Sequence, residues 1–126
     1  MKKPTPLPRL FYLTLLALSL PLIAYAQTYS YNGAKWNLII DVRTPEEFAA
    51  GHIDGAINIP YDQIDANLPA LKKTQKEENI LVYCRSGRRS EIAKQTLSKL
   101  GYKGVQNGGG MTELTGKLRS CKTETC

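Results

Sequence analysis

The chain has 126 residues, 42% of them hydrophobic and 22% charged, and a formal net charge of +6. Three basic residues, Lys2, Lys3 and Arg9, precede an uncharged run, so the remainder carries only +3, too mild and dispersed for a nucleic-acid partner. A single histidine without a carboxylate cluster gives no metal site, and nothing in the composition asks for a cofactor.

The opening "MKKPTPLPR" is basic, "LFYLTLLALSLPLIA" is uncharged, and small residues stand at Ala24 and Ala26. That order predicts a secretory signal peptide over residues 1–26, cleaved before Gln27. The apolar run holds Pro21 and is short against the roughly 20 residues of a bilayer span. No membrane attachment is expected after cleavage, and the product is expected to be periplasmic or secreted. Residues 27–120 are expected to form one domain, followed by a polar tail at 121–126, and the protein is expected to be a monomer. An oxidising compartment pairs cysteines, and three leave one over. Cys121 and Cys126 are expected to bridge within the tail, leaving Cys84 as the free thiol.

"WNLIIDV", Trp36 to Val42, predicts a buried strand. In "TPEEFAAG", Thr44 is a candidate N-cap with Pro45 at the first helical position and Glu47 three residues after the cap, a capping box closed by Gly51. "AINIP" predicts a short strand ended by Pro60. "YDQIDANLPALKK" sets Ile64, Leu68 and Leu71 on one helical face, which Pro69 shortens. "ENILVYC" is a continuous apolar run, as in an interior strand of a parallel sheet. "SEIAKQTLSKLG" places Ile92, Ala93, Leu97 and Leu100 on one helical stripe ended by Gly101. "GVQN" predicts a last short strand, and "GGGMTELTGKL" a glycine turn with a final helix. Alternating strands and helices imply an α/β domain with a small, mainly parallel sheet flanked by helices. Sites in such sheets form at the carboxyl ends of strands.

Cys84 lies at such an end, followed by "RSGRRS". Gly87 allows a tight turn. A loop curled around the sulfur aims backbone N–H groups inward as an anion nest, and the next helix adds its positive end. Arg85, Arg88 and Arg89 add full charges. These terms favour thiolate, so the Cys84 pKa is expected to fall below the free value of about 8.5. Such a thiolate suits attack on a sulfur donor or on phosphate or arsenate. Cysteine enzymes that handle phosphate place arginine six positions after the cysteine; here that position is Ser90, and the arginine comes one place earlier. A smaller ring suits a single added sulfur better than a tetrahedral oxyanion.

"DVRTPEEFAAGHIDGAINIP", "VYCRSGRRS" and "NGGGM", in that order, resemble the rhodanese homology domain in its short, exported, single-domain form. The resemblance implies a thiosulfate sulfurtransferase. Cys84 takes the outer sulfur of thiosulfate, sulfite leaves, and the persulfide passes its sulfur to cyanide or a thiol. The partners implied are a small anionic sulfur donor and that acceptor. The loop of Arg85, Ser86, Gly87, Arg88 and Arg89 is expected to bind the donor. A persulfide carrier or binding module is the alternative, with a phosphatase or arsenate reductase behind it. Asp41 and Arg43 are expected to shape the site edge, with Arg43 pairing Glu47. His52 reads as a turn residue and Asp54 as exposed loop.

Overall fold

The computed structural model of the chain describes residues 2–5, 27–67 and 76–121. Most of the predicted leader lies outside these residues, as do Leu68, Pro69, Leu71 and Cys126. Among the described residues no helix is long and apolar enough to cross a membrane.

The architecture is an α/β fold around a four-stranded parallel sheet. Its strands are β3 (Leu38–Asp41), β4 (Ile57–Asn58), β5 (Asn79–Cys84) and β6 (Gly104–Gly110), in the order β4-β3-β5-β6. The register pairs Ile40 with Ile57 and Val82, and Val82 with Asn107. Strand β5 is central, and Ile80 through Cys84 are all fully buried. A strand covered on both faces has no polar side, which is why its sequence runs apolar without alternation. Each large aliphatic chain buried there contributes roughly 1.5–3 kcal/mol.

Alternate β5 residues divide the core. Ile80, Val82 and Cys84 pack with Ala93 and Leu97 of helix α2 (Arg88–Lys99). Leu81 and Tyr83 pack on the other side with Trp36, Ile53 and Leu114, the last from helix α3 (Met111–Lys117). Helix α1 (Pro45–Ala50) opens with the expected capping box, Thr44 and Glu47 each bonding the other's backbone N–H.

Several elements differ from expectation. Helix α2 begins at Arg88 rather than near Ser90, so two loop arginines are helical. Ile92 of its predicted stripe is 39% exposed, because Ala93 and Leu97 already fill the contact with the sheet. Residues 61–67 form turns rather than helix, although Ile64 is buried. The last strand extends through the glycines to Gly110, which pairs with Cys84.

A second sheet, antiparallel, joins β1 (Thr28–Tyr31), β2 (Ala34–Trp36) and β7 (Arg119–Cys121) in the order β2-β1-β7. Asn32 and Gly33, with φ of 50° and 74°, make the hairpin turn. Both residues then have the positive φ of the turn whose twist suits adjoining strands. Cys121 belongs to β7 rather than to a tail, and it is disulfide-bonded.

Candidate functional site

Asp41, Asn58, Cys84 and Gly110 all stand at the carboxyl edge of the parallel sheet. There the backbone leaves β5 and turns through Arg85, Ser86 and Gly87 into α2. Gly87 has φ 94°, in the region that favours glycine. The loop lies so close to β6 that a Cβ on Gly110 would come 2.5 Å from the Arg85 carbonyl oxygen. Only glycine fits there, which explains one residue of the "GGG" run.

Cys84 is a free thiol and fully buried. The Gly87 N–H donates to its Sγ at 2.9 Å, and Ser90 Oγ lies 3.5 Å away. Burial pushes the thiol pKa up. The Ser90 hydroxyl and the N–H groups of Ser90, Ser86 and Gly87 oppose this together and bring it below its ordinary value. The backbone nest therefore acts as expected. The three arginines differ in their partners.

Arg89 makes a two-pronged pair with Glu47 of α1 at 2.7 and 3.0 Å, and its charge also interacts with that of Cys84. The Arg89 guanidinium, with help from the Thr44 N–H, holds the Glu47 carboxyl down to about 2. Its role is to fasten α1 to the start of α2. Arg85 and Arg88 are exposed, and neither makes an ion pair among the described residues. They are the two uncommitted cations of the loop.

The expected Arg43–Glu47 pair is absent. Arg43 instead folds back on Asp41, with Nε to Oδ1 at 2.9 Å and Nη2 to Oδ2 at 2.6 Å, and its Nη2 also donates to the Gly51 carbonyl at 2.7 Å. Asp41 is fully buried, so its charge needs a partner two residues away more than Glu47, already held by Arg89, needs a second one. Asn58 Nδ2 donates to the carbonyls of both Asp41 and Arg43 at 3.0 Å. This cluster braces the end of β3. The Arg43 guanidinium stands 5.8 Å from the Tyr83 ring centre. Burial pushes the Tyr83 phenol up, although the Ile53 N–H donates to its oxygen at 3.0 Å.

His52 stacks on Phe48 at 3.6 Å, with Nδ1 2.9 Å from the Phe48 carbonyl oxygen, and the turn itself falls at Asp54 and Gly55. Asp54 is exposed. Among the described residues no group of acidic, histidine or cysteine side chains is arranged to hold a metal.

Two residues that sequence reasoning did not assign complete the site. Ser90 Oγ touches the thiol, lies 3.0 Å from the Gly87 carbonyl oxygen and 2.6 Å from Asn107 Oδ1. Asn107 also takes the Gly109 N–H on Oδ1 at 2.9 Å, while its Nδ2 donates to the Gly87 carbonyl at 3.0 Å and to Glu91 at 3.1 Å. A hydroxyl at the first turn of a helix after Cys84 was a visible signal for Ser90. Nothing in "VQNGGG" singles out Asn107, since the one-residue register shift that follows it is a property of the ladder.

A family model described as Rhodanese-like domain matches residues 25–117. The thiosulfate sulfurtransferase PspE of Escherichia coli (strain K12) is 41% identical over 75 residues, covering 60% of this chain and 71% of its own. The thiosulfate:glutathione sulfurtransferase of Homo sapiens is 35% identical over 83 residues, covering 57% and 72%. The solved structure of a rhodanese with anions from E. coli superposes with a TM-score of 0.57 at 38% identity, covering 65% of this chain and 95% of that one.

Proposed function

The chain belongs to the family of rhodanese-like domains, and on that premise we propose that it is a thiosulfate sulfurtransferase working through a Cys84 persulfide. The observation that carries the proposal is the buried thiol held by the Gly87 N–H at 2.9 Å, in a loop that passes directly into α2. The Cys84 thiolate attacks the outer sulfur of thiosulfate. A new S–S bond forms, the old S–S bond breaks, and its electron pair leaves on sulfite. An acceptor thiolate, or cyanide, then attacks the outer sulfur of the persulfide and Cys84 departs as thiolate.

The loop's parts match the charges of these steps. The N–H groups that stabilise the thiolate serve equally the thiolate that leaves in the second step. Arg85 and Arg88, exposed and uncommitted, attract the dianionic donor and steady the departing sulfite. Arg89 holds the loop's far end in place through Glu47. Burial of Cys84 keeps water from the persulfide.

The loop supports sulfur over phosphorus. The position that carries arginine in phosphate-handling cysteine enzymes is Ser90, buried and bonded to Asn107. The basic, apolar and Ala-x-Ala order of residues 1–26 supports the reading that the chain is exported and works outside the cytoplasm.

The test is the intact mass of the protein after thiosulfate treatment and removal of excess donor. A gain of one sulfur atom, mapped to Cys84, released by cyanide as thiocyanate and absent from Cys84→Ser, is expected. Hydrolysis of an aryl phosphate without any sulfur adduct would overturn the proposal.

A further inference from the structure

We propose that Asn107 is a positioning residue that controls the direction of the Ser90 hydroxyl, and so decides whether the Cys84 sulfur receives that hydrogen bond. The orientation of the Asn107 amide is fixed by its neighbours. The Gly109 N–H requires an acceptor, and the Gly87 carbonyl and Glu91 carboxylate require a donor. Oδ1 therefore faces Ser90 Oγ, at 2.6 Å.

The hydroxyl has one hydrogen and three takers. Asn107 Oδ1 at 2.6 Å and the Gly87 carbonyl at 3.0 Å only accept. Cys84 Sγ at 3.5 Å can donate as a thiol, but as a thiolate it only accepts. While Cys84 is a thiol, the arrangement is a relay: S–H donates to Ser90, and Ser90 donates to Asn107. When the sulfur is charged, the hydroxyl must turn to it and give up its shortest bond. Asn107 therefore competes with the sulfur for a single proton. The same amide holds the Gly87 carbonyl through Nδ2, which keeps the Gly87 N–H on the sulfur. One side chain thus supports the loop with its nitrogen and opposes the thiolate with its oxygen.

The other ionisable groups around the thiol are Arg85, Arg88, Arg89 and Glu91 on the loop and α2, Glu47 on α1, and the Asp41–Arg43 pair after β3. Strand β6 contributes no charge besides what is introduced at position 107. The inference rests on Cys84 being the nucleophile, but alkylation reads the thiol whether or not sulfur is transferred.

The experiment compares Asn107→Leu and Asn107→Asp, each with Ser90 intact and with Ser90→Ala, by the pH dependence of Cys84 alkylation with uncharged iodoacetamide, followed on the Cys84 peptide. Asn107→Leu frees the hydroxyl for the sulfur, so the inflection is expected to fall by about one pH unit, the worth of one hydrogen bond to a charged group. Combined with Ser90→Ala, that fall is expected to vanish, leaving only a small rise from the lost Nδ2 support of the loop. A role limited to loop support would instead raise the inflection in both backgrounds, and that result would overturn the proposal. If Asn107→Leu does not fold by circular dichroism, the aspartate pair decides. Its carboxylate holds the hydroxyl more tightly, so the inflection must rise further with Ser90 present than with Ser90→Ala, and equal rises would reject the relay. Failure of the proposed function has a separate signature: no sulfur adduct in wild type, with these inflections unchanged.

Discussion

The Glu47–Arg89 pair is the one tie between α1 and the loop-bearing helix α2, as far as side-chain bonds of the described residues go. Its strength can be worked from both sides. A carboxyl moved from 4.5 to about 2 would correspond to roughly 3 kcal/mol if wholly shielded from water. The Arg89 and Glu47 side chains are 20% and 31% exposed, and water screens them. Two-pronged geometry favours the upper part of the range for exposed pairs, so about 1 kcal/mol is expected. Glu47→Gln, Arg89→Met and the double variant, unfolded in urea, form a cycle whose coupling should reach that value near neutral pH. The sign with pH follows from the direction of the shift. A carboxyl depressed in the folded state stabilises above its ordinary 4.5, and that stabilisation is lost as pH falls through about 2. The coupling should therefore persist at mildly acidic pH and shrink between these two values. Coupling below about 0.3 kcal/mol, within the error of additivity, or coupling that grows on acidification, would refute the reasoning.

Two further outcomes are expected. Arg85→Gln and Arg88→Gln should each raise the KM for thiosulfate a few-fold and flatten its dependence on salt, since part of the attraction is screened; unchanged constants and salt slopes would make them surface residues only. Arg43→Met strands the fully buried Asp41 carboxylate and should cost about 3–5 kcal/mol in urea unfolding, whereas Asp41→Asn combined with Arg43→Met should recover part of that loss; a double variant no better than Arg43→Met would show that the charge is not the cause.

The parallel sheet was legible because burial on both faces leaves a one-dimensional trace. "NILVY" has no polar alternate, and its strand is central. The capping box of α1 was legible for a similar reason, being made within four residues. The antiparallel sheet was missed at a place where the signal existed. "YSYNGAKW" holds an Asn-Gly turn between two short runs, each with a buried aromatic, but its third strand comes from the other end of the domain. Partner choice across such a distance leaves no local pattern. The same limit governs the site. Cys84 and Gly87 announce themselves within one loop, but the choice of Glu47 by Arg89, and of Asn107 by Ser90, is made across elements. Counting charges near a thiol does not say where each guanidinium goes, because the side chain reaches in several directions and a carboxylate on α1 pairs with one of them.

Thr28 pairs with Cys121 in the antiparallel ladder, so the first and last described strands lie side by side. A unit with adjoining ends can be spliced as one block into a surface loop of another protein, because the host chain need only open by about the width of a strand pair, roughly 5 Å. For the same reason a short linker could join the two ends and new ends be opened in an exposed turn elsewhere, leaving β3, β5 and β6 in their present sequence order. The ladder that the strand reading overlooked is thus what makes the domain portable: the chemistry sits at the carboxyl edge of one sheet, and the attachment belongs to the other.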